Sequence, residues 1–173
     1  MRDSGQQTRS DHEEAPKLGA VLDFMRLVWG VDHALQRRSK RMNVQLGVTG
    51  PQRFVVRLIG KYPGISPKRI ADILHLDKST LSGVLQRLET RGLVARRADQ
   101  RDGRRAELRL TAKGRGLDGV KQGTVEAAAR RSLVKTTPQQ LAAASLVLEA
   151  LATELLREEK PPAHRAAKKA GDR

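Results

Sequence analysis

Two short amphipathic helices joined by a tight turn, between residues 66 and 92, constrain the fold of this chain more than any other feature. Ser66-Pro67 predicts a helix start, because serine accepts a hydrogen bond from a free backbone N–H and proline is tolerated at the first helical position. Asp77 predicts the cap of a second helix, which runs from Lys78 to Arg91 and ends at Gly92. Such a pair predicts a helix-turn-helix, whose second helix enters the major groove of DNA.

The second of these helices has two chemically different faces. Its inward stripe follows an i, i+3, i+4, i+7 spacing and consists of Leu81, Val84, Leu85 and Leu88. The opposite face carries short hydrogen-bonding side chains, an amide and two cations: Lys78, Ser79, Thr80, Ser82, Gly83, Gln86 and Arg87. This face has no carboxylate before Glu89, which favours contact with base edges, and we predict that these residues bind DNA. The alternative is an ordinary solvated face, which is usually richer in glutamate and lysine.

A basic hairpin, or wing, is predicted next. Leu93–Ala98 and Arg105–Leu110 are short extended segments, and a polar, glycine-containing turn over residues 99–103 joins them. The segment from Arg91 to Arg109 contains seven arginines, counting both ends, and these would repel one another without an anion. Arginine binds phosphates with two hydrogen bonds and enters narrow minor grooves. We therefore predict DNA contacts from Arg97, Arg101, Arg104 and Arg105, with Asp102 bracing an arginine or the turn; the alternative is a solvated basic hairpin.

Helices are predicted on both sides of this segment, so the fold class is mainly α with a small β-hairpin. A first helix is predicted to about Arg41, and Thr49-Gly-Pro-Gln52 caps a second with Phe54, Val55, Leu58 and Ile59 inward. In the third helix, Ile70, Ala71, Ile73 and Leu74 are predicted to face inward. Thr111 caps a fifth helix to about Val134, and Thr137-Pro138 opens a sixth to about Glu158. We predict a disordered arm over 1–16, one domain over 17–158 and a basic disordered tail over 159–173.

The charge of the chain favours a polyanionic partner. Lysine and arginine number 34 against 19 acidic residues, which gives a formal net charge of +15. Nucleic acid and an anionic membrane surface both fit this charge, and a merely soluble basic protein is the alternative. One tryptophan, one tyrosine and two phenylalanines give little stacking surface for single strands, so duplex DNA is favoured. No apolar run approaches a membrane span and the first 16 residues have no apolar core, so we expect a cytoplasmic protein.

Several other classes of site are excluded by composition. The chain has no cysteine, which excludes disulfides, thiol sensing and thiolate metal sites, and its four histidines are scattered without ligand-like spacing. Gly114-Arg-Gly-Leu-Asp-Gly119 matches a dinucleotide-binding pattern, but it follows a hairpin strand and lies inside a predicted helix. No catalytic set of side chains is recognisable. We therefore predict no enzymatic activity, no metal and no cofactor.

Four segments resemble the MarR family of regulators. They are Thr49-Gly-Pro-Gln-Arg-Phe, Asp77-Lys-Ser-Thr-Leu-Ser, Leu88-Glu-Thr-Arg-Gly-Leu-Val, and Asp99-Gln-Arg-Asp-Gly-Arg-Arg with Leu110-Thr-Ala-Lys-Gly. The resemblance spans about residues 17–158, and the wing motif followed by the start of the fifth helix is its most specific part. It implies a homodimer in which helices over 17–48 and 112–158 form the interface around a winged helix-turn-helix over 49–111. It also implies that each subunit binds half of an inverted repeat through Ser79, Thr80, Ser82, Gly83 and Arg87, and through Arg101 and Arg104 of the wing.

The resemblance further implies a small, often aromatic, anionic effector that releases DNA. Trp29 and His33 lie one helical turn apart and Arg53 opens the second helix, so these three could line its pocket. The alternatives are dimer packing for Trp29 and a surface position for Arg53. We therefore predict a sequence-specific regulator of double-stranded DNA, a repressor released by a small anionic or aromatic ligand. A non-specific architectural DNA-binding protein is the alternative, and a module that has lost DNA binding is a third.

Overall fold

The computed structural model of this chain describes residues 18–98 and 106–157. Seven helices and two strands occur in these ranges: α1 Ala20–Leu46, α2 Gly50–Lys61, α3 Pro67–Leu74, α4 Lys78–Thr90, β1 Val94–Ala98, β2 Ala106–Leu110, α5 Ala112–Asp118, α6 Val125–Leu133 and α7 Pro138–Leu156. The chain divides into two compact units after Ala127, which we call the N-terminal and C-terminal units. The mainly helical fold with a small hairpin is the predicted fold class.

The core of the N-terminal unit lies between the two helix-turn-helix helices, α2 and the hairpin. Its fully or almost fully buried side chains come from all five elements and their flanks: Val48, Val55, Val56, Leu58, Ile59, Ile70, Leu81, Val84, Leu85, Leu88, Leu93, Val94 and Leu108. The inward stripe predicted for α4 is confirmed in full. Because that stripe is buried, the opposite face of α4 is held outward on a packed support.

The hairpin is tied into the helix-turn-helix by more than its own ladder. Strands β1 and β2 pair antiparallel, from Val94 opposite Leu110 to Ala98 opposite Ala106. On the other edge of β2, the Leu108 carbonyl accepts the Gly64 N–H at 2.9 Å, and the Leu108 N–H donates to Ile65 O at 3.1 Å. A two-stranded hairpin is marginal alone. These bonds and the burial of Leu108 fix the base of the wing against the segment that leads into α3.

Two inward-facing predictions were wrong. Phe54 is 55% exposed and Ile73 is 37% exposed, whereas Val55, Leu58 and Ile59 are buried as predicted. The buried face of α2 includes Gln52, Val55, Val56 and Ile59. Phe54 comes two positions after Gln52, which is roughly half a helical turn, so its side chain points to the opposite side of the helix. The first helix also extends beyond the predicted end at Arg41, to Leu46, and stops at Gly47 in the left-handed conformation.

The predicted fifth helix, Thr111 to Val134, is two helices. α5 ends at Asp118, and α6 begins only at Val125, after a segment that contains Gly123 at φ 74°. The Arg53 guanidinium binds the carbonyls of Leu117, Asp118 and Val120, and donates to Val120 O at 2.8 Å. In a continuous helix those carbonyls would accept N–H groups one turn further on. A side chain from α2 therefore satisfies the Asp118 and Val120 carbonyls in place of the helix, and it shares the Leu117 carbonyl with the Val120 N–H, which lies 3.1 Å away.

A close approach to the hairpin explains the first glycine of α5. Gly114 is buried, and a Cβ there would overlap the Leu93 carbonyl oxygen and lie 3.3 Å from Leu110 Cβ. The same Leu93 oxygen accepts the Thr111 N–H at 3.1 Å. Gly114 and Gly116 both lie inside α5, which agrees with rejecting the dinucleotide-binding interpretation. The glycine at position 114 allows the start of α5 to pack directly on the base of the hairpin, against Leu93 and the end of β2.

Two helices expose long apolar side chains, one in each unit. In the N-terminal unit, α1 exposes Val21, Leu22, Leu27, Trp29 and Val31. In the C-terminal unit, α7 begins at the predicted Thr137 cap and has no buried residue. Its exposed apolar side chains include Leu141, Leu146, Val147, Leu148, Leu155 and Leu156. Apolar area on this scale is typical of a surface that another molecule covers.

Candidate nucleic-acid interface

Local capping chemistry places the two helices of the helix-turn-helix. Ser66 Oγ accepts the Arg69 N–H at 3.3 Å and so caps α3. α3 ends at His75, which adopts the left-handed conformation at φ 50°. Asp77 then caps α4, where Oδ1 accepts the Thr80 N–H at 2.8 Å. Both caps are the ones predicted, and the turn between them sets the direction of α4.

The outer face of α4 is accessible along its length. Six of the seven predicted DNA-binding residues on this helix are exposed, and Gly83 is half-buried: Lys78, Ser79, Thr80, Ser82, Gly83, Gln86 and Arg87. A Cβ built at Gly83 meets no atom within 4 Å, so no neighbouring segment covers that point of the helix. The structure therefore gathers the seven residues on one open surface. That surface has the small size and the mixed donors and acceptors that suit a major groove.

A hydrogen-bonded cluster at the start of α4 was missed by the sequence analysis. The Ser79 hydroxyl donates to Asp77 Oδ1 at 2.5 Å, and the Thr80 hydroxyl donates to Oδ2 at 2.7 Å. These hydrogen bonds, from Ser79 first and then from Thr80, hold the pKa of the Asp77 carboxyl well below its usual range. Asp77 is therefore both the helix cap and the acceptor for two of the predicted contact residues. Its spacing in Asp77-Lys-Ser-Thr was the available signal, since Asp at a cap commonly accepts from the next turn.

The described part of the wing carries exposed arginines with specific neighbours. Arg97 is exposed on β1 opposite Glu107 of β2, and Arg109 Nη2 lies 3.0 Å from Glu107 Oε2. Arg96 Nε lies 3.0 Å from Glu89 Oε1, which links β1 to the last turn of α4. Strand alternation puts Arg97 and Arg109 on the face away from Leu108. The predicted contacts Arg101, Asp102, Arg104 and Arg105 lie outside the described residues.

An open cleft of about 530 Å³ adjoins the outer face of α4. It lies between the end of α1, the start of α2 and the second half of α4. Its lining is polar and cationic: Asn43, Thr49, Gln52, Gln86, Arg87, Thr90 and Arg91. Two of the predicted DNA-binding residues, Gln86 and Arg87, belong to it. The candidate interface therefore extends from α4 toward α1 and α2.

The three residues predicted to line a ligand pocket are not alike in their surroundings. Trp29 is 65% exposed and His33 is exposed on α1, whereas Arg53 is only 2% exposed. Besides the three carbonyls, the Arg53 guanidinium donates through Nε to Glu126 Oε1 at 2.7 Å. It is thus neither a surface cation nor available to a free anion without breaking these bonds. Arg53 therefore holds α2 against the end of α5 and the start of α6 and does not line a ligand pocket.

A network of charges surrounds Arg53. Partial burial raises the pKa of Glu126, but its backbone hydrogen bond, together with the hydrogen bond and charge of Arg53, brings the pKa below the ordinary value of a glutamate. Arg57 Nη1 lies 2.7 Å from Asp118 Oδ1 and extends the network to α5. These pairs join α2 to the end of α5 and the start of α6. Their role is to hold the helices, since each charge has a partner inside the unit.

A second open cleft, of about 670 Å³, combines aromatic and cationic side chains. It is formed by the second half of α2, Tyr62, α3 and the end of α5. Phe54 and Tyr62 line it together with Arg57, Lys61 and Arg69. The exposure of Phe54 and Ile73, which sequence reasoning placed in the core, belongs to this cleft.

Residues 18–98 and 106–157 contain neither a metal-binding cluster nor a helix that could span a membrane. No group of three or more histidine, aspartate or glutamate side chains there could hold a metal ion. Of the helices in these ranges, none combines the length and the apolar character that crossing a membrane requires.

Known proteins with similar sequences are transcriptional regulators. The model of the MarR family matches residues 46–105. The HTH-type transcriptional regulator TtmR of Methylorubrum extorquens is 38% identical over 112 residues, which cover 65% of this chain and 56% of TtmR. An HTH-type transcriptional repressor of Mycobacterium tuberculosis is 36% identical over 96 residues, which cover 55% of this chain and 69% of the repressor. The chain thus spans little more than half the length of TtmR and about two thirds of the mycobacterial repressor.

A solved structure shows the same fold. The crystal structure of the S. aureus MepR–DNA complex superposes with a TM-score of 0.66 at 18% identity, over 79% of this chain and 99% of MepR. At that identity the match concerns the fold alone. It is a winged helix-turn-helix with flanking helices, as the sequence predicted.

Proposed function

The chain belongs to the MarR family of transcriptional regulators, and we propose that it is a sequence-specific repressor that binds double-stranded DNA as a homodimer in the cytoplasm. The members compared with it are regulators rather than enzymes. The observation that carries the proposal is the outer face of α4, where six polar or cationic side chains are exposed around the half-buried Gly83 while the opposite face of the helix is buried. A helix with that composition fits a major groove, and the exposed Arg97 of the wing suits a phosphate or a minor groove.

The homodimer part of the proposal is supported by the exposed apolar faces of α1 and α7. Leu146 and Leu155 of α7 are each 69% exposed, and Trp29 of α1 is 65% exposed. Covering such faces with a second copy of the chain would remove apolar surface from water. We assign Trp29 to this dimer face rather than to a ligand pocket. A twofold dimer would present two copies of α4 to an operator with an inverted repeat.

The proposed effector is a small anionic or aromatic compound. Phe54 and Tyr62 offer aromatic faces in the α2–α3 cleft, and Lys61 and Arg69 offer cations for a carboxylate. Binding there would act beside α3, whose end sets the direction of α4. Benzoate-type carboxylates titrated into the protein–DNA complex test this part: release of DNA from the wild type, with at least a tenfold weaker effect in Arg69→Ala, is the expected result. Release that is unchanged in Arg69→Ala would place the effector elsewhere.

DNA binding itself is tested with a gel-shift series. The protein is titrated against an operator duplex recovered by selection from a random library, and against unselected duplex, at two salt concentrations. A specific regulator keeps a large affinity difference between the duplexes, whereas non-specific binding falls steeply with salt. Equal affinity for both duplexes would instead support an architectural DNA-binding protein. Absence of binding to either duplex would support the third alternative, a module that has lost DNA binding.

A matched pair of charge changes locates the interface. Ser82→Glu puts a carboxylate on the open face of α4 and is expected to abolish specific binding without unfolding the chain. Gln122→Glu changes the net charge equally but lies on the exposed α5–α6 loop, and is expected to bind nearly as the wild type does. Circular dichroism confirms that both variants fold. If Ser82→Glu still binds its operator, the assignment of α4 to the groove is wrong.

A further inference from the structure

The hydroxyl groups of Ser79 and Thr80 have a defined direction in this structure. A hydroxyl carries one proton and two lone pairs, so it can donate one hydrogen bond only. Ser79 donates that proton to Asp77 Oδ1 at 2.5 Å, and Thr80 donates its proton to Asp77 Oδ2 at 2.7 Å. Both oxygens therefore face solvent with lone pairs alone. On the outer face of α4 these two positions accept hydrogen bonds and do not donate them.

This direction is stabilised by charge. Hydrogen bonds to an ionised carboxylate are shorter and about twice as strong as neutral ones. The same carboxylate also accepts the Thr80 N–H at 2.8 Å, which fixes it at the cap of α4. Turning either hydroxyl outward would break a bond to a carboxylate that the helix itself holds in place.

The major groove distinguishes such acceptors from donors. The only donors that bases present there are the exocyclic amino groups, N6 of adenine and N4 of cytosine. Guanine and thymine present O6, N7 and O4, which are acceptors. A side-chain oxygen without a free proton thus pairs with adenine or cytosine, and meets a guanine or thymine with two acceptors facing each other.

We propose that Asp77 is a specificity-determining residue that makes Ser79 and Thr80 hydrogen-bond acceptors and so selects adenine or cytosine at the base positions they contact. The proposal rests on the proposed function, in which α4 lies in the major groove. It deepens that function by assigning to Ser79 and Thr80 a preference for bases that present an amino group over bases that present a carbonyl oxygen. Asp77 is a positioning residue here, since it acts through the two hydroxyls.

The same carboxylate argues against a phosphate role for these hydroxyls. A phosphate contact requires donors, and the donors of Ser79 and Thr80 are occupied by Asp77. Phosphate contacts then fall to cations further along the surface, such as Arg87, which lines the adjoining cleft.

Asp77→Asn is the variant that reverses one hydroxyl while keeping the helix cap. The asparagine oxygen can still accept the Thr80 N–H, because asparagine caps helices as well as aspartate does. Its amide nitrogen, in place of Oδ2, donates to the Thr80 oxygen and leaves the Thr80 proton free to point outward. Thr80 changes from acceptor to donor without any change in its own structure. The base preference at its position should therefore move from adenine or cytosine toward guanine or thymine.

Removal of each hydroxyl identifies the position it reads. Thr80→Val keeps the shape of the side chain without the hydroxyl, and Ser79→Ala does the same for Ser79. Ser82→Ala is the matched control, because Ser82 lies on the next turn and no bond between it and Asp77 is found among the described residues. The double variant Asp77→Asn/Thr80→Val should match Thr80→Val at the Thr80 position, since Asp77 can act there only through the hydroxyl.

The measurement is selection of binding sites from a randomised duplex library, followed by affinities for single-base variants of the selected site. We expect the wild type to prefer adenine or cytosine by about fivefold at two positions, the value of one hydrogen bond. Thr80→Val and Ser79→Ala should each remove the base preference at one of these positions, and Ser82→Ala should leave the preference at both positions unchanged. Asp77→Asn should abolish or reverse the preference at the Thr80 position alone.

Each outcome decides between the two proposals. A wild-type protein that selects no sequence would overturn the proposed function itself. A specific wild-type protein whose preferences are unchanged in Asp77→Asn and Thr80→Val would overturn the inference and leave the function standing. If circular dichroism shows that Asp77→Asn does not fold, Thr80→Val and Ser79→Ala still decide. The base positions whose preference is lost in Thr80→Val or Ser79→Ala must prefer adenine or cytosine in the wild type. A wild-type preference for guanine or thymine at those positions would refute the role of Asp77.

Discussion

The two glycines inside α5 should respond in opposite directions to the same substitution. Gly114 is buried against the base of the hairpin, where a Cβ would overlap the carbonyl oxygen of Leu93, just before β1, and lie 3.0 Å from the Leu93 carbonyl carbon. Gly116, two residues further on, is exposed, and a Cβ there meets nothing within 4 Å. Neither glycine has a positive φ among the described residues. Gly114→Ala therefore tests the packing of α5 on the hairpin, and Gly116→Ala is its matched control.

The size of each effect follows from the contacts. Forcing a methyl group into a packed contact costs about 1–3 kcal/mol. The displaced Leu93 oxygen also accepts the Thr111 N–H at 3.1 Å, and losing that bond costs about 1 kcal/mol more. Alanine regains about 1 kcal/mol of helix propensity, so Gly114→Ala should destabilise by about 1–3 kcal/mol. Gly116→Ala has only the propensity gain and should stabilise by about 0.5–1 kcal/mol.

Urea unfolding followed by circular dichroism, at one fixed protomer concentration, measures both free energies of unfolding. The fixed concentration matters because a dimer becomes more stable as it is concentrated. Equal stabilisation of the chain by both substitutions would show that Gly114 is not needed for the contact with Leu93. The account of α5 packed directly on the base of the hairpin would then be wrong.

Four further predictions concern charges and the dimer. Glu126→Ala leaves the buried Arg53 guanidinium without its carboxylate and should destabilise by about 3 kcal/mol in urea unfolding, whereas Glu126→Gln keeps an acceptor and should cost less. Because the pKa of Glu126 is lowered in the folded state, the ionised carboxylate adds to the free energy of unfolding at neutral pH, and this stabilisation is lost as the pH falls below the ordinary glutamate range. In Glu126→Gln the free energy of unfolding should therefore fall less steeply at acid pH than in the wild type. Arg97→Ala should reduce the salt slope of DNA binding by about one, and Lys121→Ala should not. Leu146→Glu should give monomers in sedimentation, and an intact dimer would exclude α7 from the interface.

Local chemistry made most of the element starts predictable. Ser66, Asp77, Thr111 and Thr137 each accept an N–H from their own helix, as their positions before an apolar pattern indicated. A cap depends on residues three positions apart, so the sequence contains all that determines it. The inward stripe of α4 was predictable for the same reason. Its outer face followed as the remainder, which is why the candidate interface could be named residue by residue.

Long-range contacts limited the prediction. The break between α5 and α6 depends on Arg53, whose guanidinium binds carbonyls more than 60 positions along the chain. No local pattern near Asp118 indicates that an arginine of α2 satisfies its carbonyl. The burial of Arg53 was missed for the same reason, because a charged residue is expected at the surface unless its partner is known.

The bonds between β2 and the segment before α3 also determine how the helix-turn-helix and the hairpin unfold locally. Leu108 exchanges hydrogen bonds with Gly64 and Ile65 on one edge and pairs with Arg96 on the other. The hairpin therefore cannot separate from the core without breaking the hydrogen bonds that also fix the segment leading into α3. In amide hydrogen exchange, the Gly64 and Leu108 N–H groups should exchange at the same slow rate, with the same denaturant dependence. The reading helix and its wing would then be lost together, in one cooperative opening.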